Sequence, residues 1–429
     1  MSVRRESLRI CVVTDSVPGV HQRWSGQERM AIRLAQNLAG AGHDVSLLTR
    51  IPTTVSALPP STYVIREGLG EKDWITSHYP VDLVACWSAR RILARLRPQV
   101  VHIHGKTLYY PTLLAARALG IPTAFTVVDQ YLFCPNQTLI HSHDGVCQDK
   151  QGAACASCVD FSRYLKNRLV TKGAQCLRLP ALLMALRACL MRWSARSLSA
   201  VIALTETSRQ RVLALGCAPQ QVHRIYEYDV EYEPTEDASP PFDIPTVVYV
   251  GALTESRGAH MAILAMQHVL RAVPGARLLM IGEVWDGFGE RVKRLPAELG
   301  IQDHVEWCGQ MSNEEVLQTL RRSHVVIVPL QFPNEFGPMN MLEARYVGKP
   351  VVASRIGATH EFVSDGIDGF LVPPGSSEAF AEKISLLLLN PEMRQKIGEA
   401  ARRASAFLRL GSYIPALETV YLDLTRAQR

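Results

Sequence analysis

Two carboxylates, Glu335 and Glu343, stand on either side of a Gly337-Pro338 turn. Val325 to Val328 before them is a short β-branched run that suits a parallel strand buried on both faces. Pro329 and Pro333 stop it. Pro338 is placed for the first position of a helix, which continues from Met339 to Tyr346 and ends at Gly348-Lys-Pro350. Glu335 then falls in the loop and Glu343 about two turns into the helix, so both can face one crevice. The helix start at Met339-Asn340 offers free N–H groups and the positive end of a dipole, which suits a phosphate.

A second set of polar residues lies earlier. Val100-Val-His-Ile-His-Gly105 reads as a strand, and alternation puts His102 and His104 on one face. His104 is at the C-terminal end, the edge where open α/β sheets bind ligands. Pro122 to Asp129 is a further strand ending at the same edge, so Asp129 is a site candidate or a loop cap. Cys155-Ala-Ser-Cys158, with Cys134 and Cys147, gives four thiols that could hold a structural zinc. The alternative is a compact loop of inert or redox-labile thiols.

These residues need elements to position them. Leu8 to Thr14 is a first strand, a helix from about Gln27 to Ala39 follows, and Asp44 to Leu48 returns as a strand. That is a βαβ unit, and Gly26 sits in its loop. Val201 to Leu204 and Val222 to Tyr226 close a first domain, 1–226. Residues 227–245 hold seven acids, four prolines and no Lys or Arg, which reads as an interdomain linker. A second series of strands and helices begins at Thr246-Val-Val-Tyr-Val-Gly251 and forms a domain over 246–406. The last stretch, 407–429, contains an amphipathic helix from about Pro415 to Arg426. At 429 residues, two domains each have enough chain for a core. The pattern predicts two doubly wound, Rossmann-like parallel-sheet α/β domains facing a cleft.

The net charge of +6 names no partner by itself. It is concentrated: Ser162 to Arg196 carries eight Lys and Arg and no acid. One reading is solvated helices with a buried apolar side. The other is docking on an anionic membrane surface. Few aromatics interleave and no known module surrounds the stretch, so no nucleic-acid partner is expected. Leu8 to Thr14 is too short for a secretory signal, and the longest apolar run, Leu179 to Met191, is too short to span a bilayer. Ten cysteines without an export signal fit a reducing cytoplasm.

The run from Val305 to Pro374 resembles retaining GT-B glycosyltransferases of family 4. Its paired glutamates, Val347-Gly-Lys-Pro-Val-Val-Ala-Ser354 and Asp365-Gly-Ile-Asp-Gly-Phe-Leu-Val372 carry the likeness. Weaker similarity covers nearly the whole chain. The resemblance implies transfer of a sugar from a nucleotide-sugar donor to a glycan or polyprenyl-linked acceptor with retention at the anomeric carbon. It implies that Glu343 holds the ribose and Glu335 the sugar hydroxyls. Gly337, Met339, Asn340, Gly251, Arg257 and Glu361 would complete the donor site, and His104 and Asp129, in the first domain, would be catalytic together with Glu335. Gly26 would let the backbone approach the donor phosphates or the acceptor. Several positions depart from the pattern. Phe336-Gly337 begins one residue early, Val128 stands where the family commonly has His, and Ala252 and Arg257 replace the Arg and Lys of the first loop. The linker lacks the usual Asn-Gly turn. No Asp-x-Asp motif lies in a suitable loop, so no cofactor is expected for catalysis. A degenerate nucleotide-binding or partner protein is the first alternative, and a phosphorylase or sugar-phosphate synthase on soluble sugars the second. The expected location is the cytoplasm, peripherally at the inner face of the membrane.

Overall fold

The computed structural model describes residues 6–17, 26–50, 60–65, 79–80, 82–135, 140–141, 145–147, 151–159, 179–230, 240–284, 287–333 and 337–427. The chain divides into two compact units. One takes the residues up to Tyr228 together with Tyr413 onward, and the other runs from Asp229 to Ser412.

In the first unit, β1 (Arg9–Val13), β2 (Asp44–Thr49), β3 (Thr62–Val64), β4 (Val100–Ile103) and β5 (Thr123–Val127) share a sheet with β8 (Ala200–Ala203) and β9 (Val222–Arg224). β6 (Ile140–His141) and β7 (Gly145–Val146) pair apart from it as a small antiparallel ladder. The seven-stranded order is β3-β2-β1-β4-β5-β8-β9, parallel throughout. The strands are short apolar runs, fully buried in β4, β5 and β8, as a sheet covered on both faces requires. The winding reverses between β1 and β4. There Val12 lies opposite His102.

The helix Ile414–Arg426 completes this unit. Its Ile414, Leu417, Val420 and Tyr421 are buried in one cluster with Leu8, Ile10, Val12, Leu34 and Val100. Each such side chain contributes about 1.5–3 kcal/mol of burial. Asn37 donates to the Tyr413 hydroxyl at 3.1 Å, and His43 and Glu418 meet at 3.1 Å.

In the second unit, β10 (Thr246–Val250), β11 (Arg277–Ile281), β12 (Val305–Gly309), β13 (Val325–Val328), β14 (Val351–Ser354) and β15 (Phe370–Val372) form a sheet of order β12-β11-β10-β13-β14-β15. All pairs are parallel. The winding reverses between β10 and β13. Arg345 and Asp368 brace this unit from inside. The guanidinium meets both carboxylate oxygens at 3.0 Å and the Asp368 carbonyl at 2.7 Å, both residues being buried. The Asp365–Val372 motif thus has a structural task, which Asp365 shares by accepting from the Leu371 amide at 2.9 Å.

Two charged residues sit differently from their sequence reading. Arg187, counted among surface cations, lies in the helix Leu179–Ser197 and is 1% exposed. It donates to the Tyr131 carbonyl at 2.5 Å and to Gln151 Oε1 at 2.7 Å, so it ties that helix to the loop after β5. Glu227, counted with the linker acids, is 1% exposed inside the first unit. Charge density alone does not separate an exposed cation from one satisfied by buried carbonyls. Of the remaining basic segment, Arg163, Lys166, Arg168, Lys172 and Arg178 lie outside the described residues. Among the described residues no helix is long and apolar enough to cross a membrane.

Candidate active site

The reversal between β10 and β13 builds the second unit's site. The helix Ala259–Ala272 follows β10 and the helix Met339–Tyr346 follows β13, so two helix starts flank one crevice. Neither receives a side-chain cap. Elsewhere in the unit Ser312 caps the helix Asn313–Arg322 and Ser376 caps Ser377–Leu389. At the second start Asn340 Oδ1 accepts from the Met341 amide at 2.9 Å, and the amides before it are left for an anion.

Close backbone contacts hold the two loops together. Gly258, before the first helix, has φ +69°, and a Cβ there would fall 1.8 Å from the Pro329 carbonyl oxygen. Only glycine satisfies both constraints. The Gln331 amide donates to the Ser256 carbonyl at 2.9 Å. Asn340 Nδ2 donates to the Val250 carbonyl at 2.5 Å, tying the second helix start to the end of β10. Arg257 packs beside Gly251: its Cδ lies 3.3 Å from the point where a Gly251 Cβ would be. Gly337 has φ +139°. Met339 and Asn340 are the first two residues of their helix, and Glu343 is 3% exposed within it. Glu361 belongs to the short helix Thr359–Phe362, after β14. Glu335 lies outside the described residues.

The first unit's reversal is occupied by its own carboxylate. Asp15, just past β1, accepts from the amides of Lys106 at 2.7 Å and of Thr107 and Leu108 at 3.0 Å. Those amides lead into the helix Tyr109–Ala118. A Cβ on Gly105 would come within 2.4 Å of Asp15 Oδ1, so glycine admits the carboxylate. Lys106 pairs with Asp129, whose other oxygen accepts from the Tyr131 amide at 2.8 Å. Burial works against the Lys106 ammonium, but Asp129 first, then Glu28 and Asp15, hold its pKa above the ordinary value. Gly26 opens the helix Gly26–Gly40, and Gln27 of that turn donates to the His104 carbonyl.

Beneath this edge is a buried polar cluster. His102 and His104 are both 0% exposed and their rings stack at 4.9 Å. The His104 ring turns inward to Glu227, with Nε2 3.3 Å from Oε2. His102 meets the Tyr421 hydroxyl through Nδ1 and Thr126 Oγ1 through Nε2 at 2.6 Å. Thr126 in turn donates to Glu227. Burial pushes His102 down to about 4, with Glu227 opposing. For Glu227 burial acts upward, yet His102 and His104 hold it below the ordinary carboxylate value.

The four cysteines are free thiols. Burial raises the Cys155 pKa, and nearby Cys134 and Cys158 add to it. Among the described residues the one group of three metal-ligating side chains at ligand spacing is His102, His104 and Glu227. Sequence reading missed Asp15, Lys106, Thr126, Glu227 and Tyr421. Asp15 carried a signal, because it directly follows the strand at a reversal. Tyr421 had none, being 319 residues from His102.

Comparisons with known proteins agree with the two-unit architecture. Residues 25–226 match the family "Glycosyl transferase 4-like domain", and residues 235–404 match "Glycosyl transferases group 1". A D-inositol 3-phosphate glycosyltransferase of Segniliparus rotundus is 31% identical over 43% of this chain and 42% of its own length. The chain spans about half the length of the curated relatives of that kind that it matches. A glycogen synthase of Mycobacterium tuberculosis is 24% identical over 98% of this chain and 96% of its own. Among solved structures, sucrose-phosphate synthase from Thermosynechococcus elongatus superposes with a TM-score of 0.71 at 19% identity, over 98% of this chain and all of the other. Anabaena Alr3699/HepE in complex with UDP-glucose gives 0.67 at 15% identity, over 98% and 99%. The fold is GT-B, and the two family matches fall one in each unit.

Proposed function

We propose that the chain transfers a hexosyl group from a nucleotide-sugar donor to a glycan or polyprenyl-linked acceptor, retaining the anomeric configuration. The observation that carries it is the pair of uncapped helix starts flanking the β10–β13 reversal. The donor diphosphate would sit on the amides near Gly251 and Met339-Asn340 with Arg257 beside it. Fixed donors aimed at a leaving diphosphate stabilise charge where it develops, so no metal is needed for the step. Glu343 would accept from the ribose hydroxyls. Glu335 would hold the sugar hydroxyls and stabilise oxocarbenium charge, with Gly337 shaping the turn between them and Glu361 at the next strand end. On the acceptor side, Asp129 and Lys106 offer a paired base and cation at one strand edge, Gly26 opens the adjoining helix, and His104 supports that edge from beneath.

Cytoplasmic location, with salt-reversible docking at an anionic membrane face, is part of this reading. The segment 162–196 supports it less strongly than its charge count suggests, because Arg187 is committed inside the fold. Arg192 and Arg196 remain on the helix it shares, bonded only to backbone carbonyls. A structural zinc on Cys134, Cys147, Cys155 and Cys158 also belongs to the proposal.

The test is thermal: uridine, guanosine and adenosine diphosphates are compared for the rise each gives in Tm, followed by hydrolysis of the matching nucleotide-sugars. One base should raise Tm and its sugar nucleotides should be turned over. No rise with any of the three overturns the reading. Binding without turnover would favour a nucleotide-binding protein, the outcome to which Ala252, in place of a cation, points.

A further inference from the structure

We propose that His102, His104 and Glu227 form a buried site for a divalent transition metal, with zinc the best fit. Three elements supply the ligands. Strand alternation puts the two histidines on one face of β4 and its exit, and the chain leaving β9 brings Glu227 across to them. The ligand atoms all lie within 4.8 Å of one another.

Among the described residues, three polar atoms here have no hydrogen-bond partner although fully buried: His104 Nδ1, His104 Nε2 and Glu227 Oε1. Buried polar atoms are nearly always satisfied, so three together ask for a ligand. The spacing answers the question. His104 Nε2 is 3.3 Å from Glu227 Oε2 without the alignment of a hydrogen bond, and His102 Nε2 is 3.6 Å from Oε1. Ligand atoms bonded to zinc at ~2.0–2.2 Å in a tetrahedron stand roughly 3.3–3.6 Å apart; the two contacts run to different oxygens of Glu227, so zinc would draw the rings toward one oxygen or share both. Two imidazoles and one carboxylate are a zinc donor set, whereas calcium and magnesium prefer oxygen alone.

The surroundings fit a metal centre too. A ligating imidazole usually holds a partner on its other nitrogen, which fixes its orientation. Tyr421 takes that place on Nδ1 of His102. Thr126 Oγ1, 2.6 Å from His102 Nε2 and bonded to Glu227, holds that ring nitrogen in the metal-free chain and would give it up to the metal. A metal there would join β4 to the end of β9 and, through His102, brace the helix Ile414–Arg426.

Zinc content of the purified full chain is measured by mass spectrometry, before and after dialysis against chelator and readdition of zinc. Cobalt replaces zinc for spectroscopy. About one equivalent should bind besides any that the four cysteines hold, and chelation should lower Tm. Glu227→Gln and His104→Ala should lose the metal, while Cys155→Ser should retain it. In Cys155→Ser, where the thiol site is broken, the cobalt form should keep visible bands without the sulfur-to-metal charge-transfer band that a thiolate site would give. Should those two variants fail to fold, Tyr421→Phe keeps the ligands and should weaken zinc binding about 10–100-fold, the usual cost of an outer-shell change. A chain that binds no zinc on readdition, or binds it equally well after Glu227→Gln, overturns the site and leaves a buried His104–Glu227 contact. Loss of every visible cobalt band in Cys155→Ser would place the metal on the thiols alone and equally overturn it.

Discussion

The two sheets reverse their winding at corresponding places and treat the crevice in opposite ways. In the first unit, Asp15 fills the reversal between β1 and β4 and uses three amides entering the next helix. In the second, the helices after β10 and β13 start without side-chain caps, and glycine rather than an acid occupies the close contact. A carboxylate from the chain and a phosphate from a ligand compete for the same N–H groups. The unit that supplies its own anion has little use for a foreign one. The half with bare helix starts is the one suited to an anionic donor.

The largest effect expected from breaking this comparison is at Gly258. Gly258→Ala puts a methyl group against the Pro329 carbonyl and strains a positive φ, so the second unit should lose on the order of 3–5 kcal/mol, read by denaturant unfolding. A loss below ~1 kcal/mol would show that the two loops are not locked together. At the donor site, Glu343→Gln removes a charge-assisted hydrogen bond worth about 1.5–3 kcal/mol, so nucleotide affinity should fall about 10–100-fold by calorimetry. Unchanged affinity would put the ribose elsewhere.

Asp15→Asn tests the other half of the comparison. Losing charge-assisted bonds to the amides should destabilise the first unit by about 1–3 kcal/mol without altering nucleotide affinity. A variant that binds nucleotide more tightly would mean that the first unit also takes the diphosphate.

The smallest effect is at the opposite edge of the second sheet. There Lys349 lies in a cleft of about 380 Å³ with His324, Arg394 and Arg402. Burial, and then Arg394, push its pKa down to about 8 from 10.5. Below pH 8 both folded and unfolded chains carry the proton, and the fold bears the full cost of the charge. Between pH 8 and 10.5 the folded chain releases its proton first, so stability rises with pH through that window. Lys349→Met should therefore gain on the order of 1–2 kcal/mol at pH 7, and the gain should fade by about pH 10.5. A gain that is flat with pH would trace to packing instead of charge.

The alternating pattern of both units was legible because buried parallel strands read as continuous β-branched runs. Val325 to Val328 and Thr246 to Val250 were found that way. His102 and His104 were placed on one face by the period of a strand alone. Polar partners were harder, because a side chain bonds to whatever the sheet order brings near it. Asp15 meets amides more than 90 residues away, through the β1–β4 pairing. Arg187 and Glu227 looked like solvated charge because each falls in a charge-rich segment, 162–196 and 227–245. Their neighbours in space are a carbonyl and two imidazoles.

The helix that closes the first unit sets an order of events during synthesis. All seven strands of its sheet have been made once Arg224 emerges, yet Tyr421 follows His102 by 319 residues. At ~5–20 residues per second the ribosome needs roughly 10–40 s for the 197 residues from Arg224 to Tyr421. The second unit is one unbroken stretch and is finished inside that interval. Until then the first unit waits with Leu8, Ile10 and Val12 lacking their cover. The half made first is the half completed last.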